Sequence, residues 1–374
     1  MDKDRKLAFD ILIDIEKNES FSNLAVKEHL SKGAAKNPGF VREIVYGTLE
    51  NQIYFDKIID TLASRGIKGI KAKELILLRM GIYQILYMES VPDYAALNET
   101  VNLAKKICYG KDKFLNAMLR AFINRKDEDF SGGDLAIKYS YMPWIVELWK
   151  EQFDDVEDLL KAGNMKPALC LRANLKKTTP EELKKRFSGS ISKITPRGLL
   201  VKGNNILDSE EYEKCFFSIQ DEVSILAADL IDPKTGERIL DMCAAPGGKT
   251  MAMAEALDDG EIIAMDVYEH KMELIETQCK RLSIDSVKTK CQDASELVEE
   301  FVDGFDKVLA DVPCSGLGVI RHKPEIKLKE QGNLEKLYEI QGKILSNASK
   351  YVKKGGSLVY STCTINRREN EEQI

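Results

Sequence analysis

Histidine is scarce in this chain of 374 residues: there are three, His29, His270 and His322, too few and too scattered for a histidine-built metal site. The eight cysteines include no Cys-x-x-Cys pair, so neither a zinc cluster nor a disulfide framework is expected, and reduced intracellular thiols are. No stretch approaches the ~20 apolar residues of a membrane span. The N-terminus, Met1-Asp-Lys-Asp-Arg-Lys6, runs straight into an amphipathic pattern with no apolar signal core. No membrane partner is expected, and the cytoplasm is the expected location. Net charge is −6, so there is no global basic field, and any nucleic-acid contact must come from local patches. A Walker glycine is missing too. Gly248-Lys-Thr250 would need glycine at position 243, which holds Cys243, and this argues against nucleotide hydrolysis.

What is present describes a globular protein of two or three domains, 44% hydrophobic and 31% charged. Residues 1–128 read as an all-helical bundle. Leu7, Ile11 and Ile15 recur at helical spacing, as do Leu24, Val26 and Leu30, then Phe40, Ile44, Val45 and Leu49. Pro38 and Gly39 read as breakers between two of these stripes. Glu74–Tyr87 is apolar enough to be a central helix. Basic residues cluster at Arg65, Lys68, Lys71 and Lys73, and again at Lys105, Lys106, Lys111 and Lys113; these are either solvated helix faces or a phosphate-contacting patch. Residues 127–134 read as a linker, and 135–222 as a small α/β domain in which Trp144 and Trp149 are core anchors. Residues 223–374 alternate strand and helix, which predicts a parallel, doubly wound Rossmann-like sheet with ligands at the carboxyl ends of its strands. The chain stops at Ile374 just as Arg367–Gln373 begins a helical run, so this domain is expected to be incomplete at its C-terminus.

The chemistry concentrates at those strand ends. Ile239-Leu-Asp-Met-Cys-Ala-Ala-Pro-Gly-Gly-Lys-Thr250 is a strand, a glycine turn and a helix N-terminus, a place where backbone N–H groups approach a ligand closely. Asp241 is placed to shape the turn. Asp266 ends the next strand, where a carboxylate accepts hydrogen bonds from ribose hydroxyls, and Asp293 after the third is placed for an adenine edge. An adenosine-containing cofactor follows. Two later strand ends carry cysteines: Asp311-Val-Pro-Cys-Ser-Gly316 and Ser361-Thr-Cys363. Cys108, Cys170, Cys215, Cys279 and Cys291 read as structural. A thiolate beside such a cofactor suits methylation of a pyrimidine at carbon 5: it adds at carbon 6, carbon 5 becomes nucleophilic, and after methyl transfer a base removes the carbon-5 proton and the thiolate leaves. Asp311 is placed to hydrogen-bond the base edge. The residues alone leave open which cysteine attacks.

Cys243-Ala-Ala-Pro-Gly-Gly-Lys-Thr250, Asp311-Val-Pro-Cys-Ser-Gly-Leu-Gly318 and Tyr360-Ser-Thr-Cys-Thr364 resemble the Sun (Fmu) and Nop family of RNA cytosine-C5 methyltransferases. Gln220-Asp-Glu-Val-Ser224 and Arg321-His-Lys-Pro-Glu-Ile326 fit the same pattern. Upstream, Phe40–Thr48, Val91–Thr100 and Phe114–Arg120 resemble a NusB-type RNA-binding domain. The fusion is similar to the bacterial 16S ribosomal RNA branch of the family, and the resemblance covers the whole chain. It implies S-adenosyl-L-methionine held by Cys243, Ala244, Ala245, Pro246, Gly247, Gly248 and Lys249, with Asp266, Asp293 and Asp311 completing the site. It implies Cys363 as nucleophile and Cys314 in product release. It further implies a monomer acting on 16S ribosomal RNA that is unassembled or partly assembled, and a catalytic domain that continues past Ile374. Arg321, Lys323, the N-terminal lysines and Arg172 beside Asn174 are expected to hold RNA phosphates. The same chemistry on transfer RNA or another RNA, and a non-catalytic NusB-type RNA-binding factor, are the alternatives.

Overall fold

A computed structural model describes residues 2–18, 22–33, 35–203 and 206–374. These divide into two units: residues 1–165 with 317–332, and residues 166–316 with 333–374.

The first unit is helical: α1 (Lys3–Asn18), α2 (Ser22–Ser31), α3 (Pro38–Glu50), α4 (Gln52–Leu62), α5 (Ala72–Tyr87), α6 (Asp93–Ile107), α7 (Asp112–Ile123), α8 (Leu135–Tyr139), α9 (Pro143–Gln152) and α10 (Val156–Gly163). The apolar stripes converge on α5, whose Ile76, Leu77, Leu78, Met80 and Ile82 are buried among Ile11, Ile44, Val45, Phe55 and Leu119. Each such side chain contributes roughly 1.5–3 kcal/mol by leaving water. Close approach of α3 to α5 requires Gly47, because a Cβ there would lie 2.0 Å from the Tyr83 ring.

Three expectations change here. Pro38 and Gly39 begin α3 instead of breaking the chain: Asn37 caps the helix, its Oδ1 accepting the Phe40 N–H at 3.1 Å, and proline occupies the first turn, where it lacks only an N–H that would have no helical partner. Residues 127–134 are not a bare linker, since Phe130 is buried and packs on Phe122. Residues 135–163 form helices of this unit instead of part of an α/β piece. The stretch 317–332 also returns to it. There Lys327 is 1% exposed, and its ammonium donates to Glu50 O at 2.6 Å and Asn164 Oδ1 at 2.7 Å.

The second unit holds two sheets. The smaller is antiparallel, in the order β2-β3-β1-β4, from β1 (Leu169–Ala173), β2 (Gly189–Ile191), β3 (Gly198–Val201) and β4 (Phe217–Ile219). With α11 (Pro180–Arg186) it buries Leu171, Leu183, Leu199 and Phe217. The larger is parallel, in the order β7-β6-β5-β8-β9, from β5 (Glu237–Asp241), β6 (Gly260–Asp266), β7 (Val287–Cys291), β8 (Phe305–Asp311) and β9 (Val352–Ser361). Its helices are α13 (Glu222–Asp229), α14 (Gly248–Ala256), α15 (Glu269–Leu282) and α16 (Leu334–Tyr351), with α12 (Glu210–Glu213) a single turn. Alternate residues serve opposite faces. Ile239, Ile262 and Leu309 pack on Ala228, Ala252 and Met253, whereas Leu240, Ile263 and Val308 pack with Ile344, Ala348 and Tyr351. Both faces are covered, which is why these strands read as continuous apolar runs. Where a further helix was expected after β9, Arg367–Glu369 forms a short 3-10 turn.

Candidate active site

The parallel sheet delivers Asp241, Asp266, Asp311 and Ser361 at the carboxyl ends of β5, β6, β8 and β9, with Asp293 two residues beyond β7. Residues 242–247 turn β5 into α14. Gly247 has φ +99°, the left-handed conformation in which a side chain is strained. The Ala245 N–H donates to Asp266 Oδ2 at 3.3 Å and the Ala244 N–H to Met265 O at 2.7 Å, so the loop lies along the end of β6. Asp293 Oδ1 accepts the Ser295 N–H and hydroxyl at 2.8 and 2.7 Å. Asp311 accepts Lys249 Nζ at 2.6 Å and the Ser361 hydroxyl at 2.8 Å.

Asp241 is fully buried and accepts the Thr250 hydroxyl at 2.7 Å, while its Oδ1 has no partner among the described residues. Burial first, and then the charges of Asp311 and Asp266, push its carboxyl up to about 7. Burial also pushes the Cys243 thiol up, with Asp241, Asp266, Asp311 and Asp293 adding to it. Asp266, Asp293 and Asp311 therefore act with the buried Asp241 on one point of the loop, and Lys249 beside Asp311 and Lys271 beside Asp266 are the local counter-charges.

Asp311 and Ser361 are register partners across β8 and β9, so loops leaving from them emerge side by side. That brings Cys314 and Cys363 together: the Cys363 N–H donates to Cys314 Sγ at 3.1 Å. Cys363 is exposed and Cys314 half-buried. The Cys363 side chain, and then burial, raise the Cys314 thiol far above its ordinary value, while the Cys363 backbone N–H acts in the opposite sense.

Two other expectations are corrected. Arg172 is 1% exposed and does not face solvent; its guanidinium forks onto Glu255 at 2.8 and 3.1 Å and donates to Gly248 O at 2.9 Å. It props the first turn of α14 and is closed to phosphate. Asn174 is buried as well, its amide on Cys215 O. Among the cysteines read as structural, Cys108, Cys170 and Cys215 are buried but Cys291 is exposed. In the helical unit, Lys71, Lys73 and Lys111 line one cavity of about 630 Å³ with Lys17 and Tyr109, the last 96% exposed. Arg321 and Lys323 are exposed on the 317–332 segment. Sequence reasoning missed the Lys249–Asp311 pair, although Lys249 sat inside the motif, and gave no role to Glu369.

The model for "16S rRNA methyltransferase RsmB/F" matches residues 228–374, and that for the NusB family matches residues 2–124. A probable ribosomal RNA small subunit methyltransferase B from Bacillus subtilis is 36% identical over 99% of this chain and 87% of its own. The chain belongs to the ribosomal RNA small subunit methyltransferase B family. Among solved structures, PH0851 aligns over 100% of this chain and 88% of its own, with a TM-score of 0.83 and 25% identity. NSun6 from Pyrococcus horikoshii, solved with SFG, aligns over 62% of this chain and 85% of its own at a TM-score of 0.56 and 23% identity, sharing the fold.

As a member of that family the chain takes S-adenosylmethionine as methyl donor. The site fits it. The convergence of Asp266, Asp293 and Asp311 on the loop makes the strand-end edge electronegative, which suits a sulfonium cation with an ammonium group. Asp266 and Asp293 would offer it acceptors, and the opening of α14 would offer backbone donors.

Proposed function

We propose that this chain methylates carbon 5 of a cytosine in 16S ribosomal RNA through a covalent bond between Cys363 and carbon 6. The observation that carries the reading is the Cys363–Cys314 contact beside Asp311, with one thiol exposed and the other half-buried. Cys363 adds to carbon 6 as its thiolate, its proton having been released to solvent, and the ring's double-bond electrons move toward carbon 5, making it nucleophilic. Residues 243–249, with Asp266 and Asp293, would hold S-adenosylmethionine, which would supply an electrophilic methyl group to that carbon and leave as the neutral thioether. Asp311, fixed by Lys249 and Ser361, orients the base edge. A base removes the carbon-5 proton, those electrons re-form the ring double bond, and the carbon-6–sulfur bond breaks. Cys314, in contact with the Cys363 backbone, assists this release. The target cytosine must leave its stack to reach the site. Lys17, Lys71, Lys73 and Lys111 hold phosphates, with Tyr109 as a stacking platform. A monomeric cytoplasmic enzyme acting on RNA that is unassembled or partly assembled completes the reading.

The test is methyl transfer to unmodified small-subunit ribosomal RNA, with bisulfite sequencing of the product. Cys363→Ala should abolish transfer, and Cys314→Ala should accumulate an RNA–protein adduct visible by mass. Full activity in Cys363→Ala would overturn the assignment. Methylation at a site other than cytosine carbon 5 would overturn the chemistry.

A further inference from the structure

Glu369 takes no part in the steps above, yet it is fully buried in the 3-10 turn after β9. A buried carboxylate is costly unless its acceptor positions are filled. Four donors fill them. The Ser315 N–H reaches Oε2 at 2.8 Å and the Ser315 hydroxyl reaches Oε1 at 2.5 Å. Gln341 Nε2 donates to Oε2 at 3.0 Å, and Asn366 Nδ2 to Oε1 at 2.9 Å. A carboxylate has room for four such donors and offers no proton of its own.

These donors lead to both cysteine loops. Ser315 follows Cys314, and the Gln341 amide also holds Pro313 O, just before it, at 2.9 Å. The Ser315 hydroxyl is 2.9 Å from the Thr364 hydroxyl. With the Ser315 proton directed at Glu369, Thr364 is the donor in that pair. Thr364 follows Cys363, and its oxygen accepts the Asn366 N–H at 3.2 Å. From β9, the Tyr360 hydroxyl donates to Glu369 O at 2.9 Å. One carboxylate thus holds Ser315 directly and reaches Thr364 through the Ser315 hydroxyl and Asn366, and the Cys363 N–H to Cys314 Sγ contact lies between these two residues.

We propose that Glu369 is a positioning residue for methyl transfer, locking the Cys314 and Cys363 loops in the one register that presents Cys363 to the base. This rests on the cysteine assignment under Proposed function. The carboxylate is required as such, not as filler. Glutamine has the same shape, but its amide would turn two N–H groups toward donors at one end of the site.

The test uses the full chain with Glu369→Gln, Ser315→Ala and Cys363→Ala. It measures methyl transfer to small-subunit ribosomal RNA, S-adenosylmethionine affinity by calorimetry, and labelling of the two cysteines by iodoacetamide across pH. In the wild type, iodoacetamide should label Cys363 ahead of Cys314. In Glu369→Gln that preference should be lost and kcat should fall on the order of 10²-fold, the scale of a misplaced reacting group. The KM for RNA and the cofactor affinity should stay within about twofold, because the groups assigned to binding are untouched. Ser315→Ala removes one hydroxyl and decides the matter should Glu369→Gln not fold; the same loss of labelling preference is expected with a smaller fall in kcat. Wild-type kcat and labelling in either folded variant would overturn the clamp, and so would cofactor affinity lost in parallel with kcat. Full activity in Cys363→Ala would overturn the underlying assignment instead, whatever the Glu369 variant does.

Discussion

Asp241 holds a proton that an exposed carboxyl would give up near pH 4. Its folded-state value of about 7 stands above the unfolded one, so the folded chain binds a proton that the unfolded chain has released. The sign follows from linkage. The stability tied to Asp241 is fully present below about pH 4, declines as pH rises to about 7, and is level beyond. We predict that urea denaturation of the wild type will show this decline and that Asp241→Asn will flatten it; parallel pH profiles for the two would refute the attribution. At this scale the sequence was readable where residues sit at strand ends. Asp266, Asp311 and Cys314 follow apolar runs whose ends are easy to find. Arg172 was misread because its partner Glu255 is 83 residues away, and nothing local marks an arginine that folds inward. Glu369 was overlooked for the same reason: Ser315 and Gln341 lie far from it in the chain.

Elements depend on such hidden pairs. The Arg172 fork on Glu255 is buried on both sides and also holds the first turn of α14 through Gly248 O. Removing one partner leaves an uncompensated charge in the interior, an effect of about 3–5 kcal/mol. Arg172→Met should therefore lower the unfolding free energy by about that much, and Arg172→Met with Glu255→Met should recover most of it, as a double-mutant cycle by denaturation will measure. Equal losses in the single and double variants would mean that packing, not charge, dominates. The segment 317–332 supplies an opposite pH signature. Burial holds the Lys327 amine down to about 7. Between about pH 7 and 10.4 the folded chain has released a proton that the unfolded chain still binds, so stability should rise across that window. A neutral amine keeps the two donors that Glu50 O and Asn164 Oδ1 accept. Lys327→Met should remove the rise, and a wild-type profile flat over this range would count against it. The long strands and helices of the parallel sheet were legible from periodicity. The three-residue strands β2 and β4 were not, because pairing with β3 and β1 makes them strands, and their own sequence does not. Return of 317–332 to the helical unit was equally invisible, since no composition shift marks its ends.

Over the whole molecule, a net charge of −6 argues against RNA until the charges are placed. Folding brings Lys17 from the end of α1, Lys71 and Lys73 from the start of α5 and Lys111 from the start of α7 around one cavity, beside the exposed ring of Tyr109. Glu16 and Glu74 share that cavity, and Glu74 lies 3.8 Å from Lys111; among the described residues no ion pair holds Lys17, Lys71 or Lys73. The two clusters seen in sequence thus contribute to a single face, and distance along the chain had hidden that. If this face carries phosphate, affinity for small-subunit ribosomal RNA should fall with salt as condensed counterions are recaptured. Each of Lys71→Gln, Lys73→Gln and Lys111→Gln should make that logarithmic slope shallower by about one, and Tyr109→Ala should cost roughly 1–3 kcal/mol of binding with the slope unchanged. Filter binding over a salt series separates the two effects. Methyl transfer to a short RNA spanning only the target cytosine should be far less sensitive to the same substitutions, because a short substrate has few phosphates outside the catalytic cleft. Should all four substitutions leave the slope and the affinity for the long RNA at wild-type values, this face is a solvated surface and the RNA is held elsewhere.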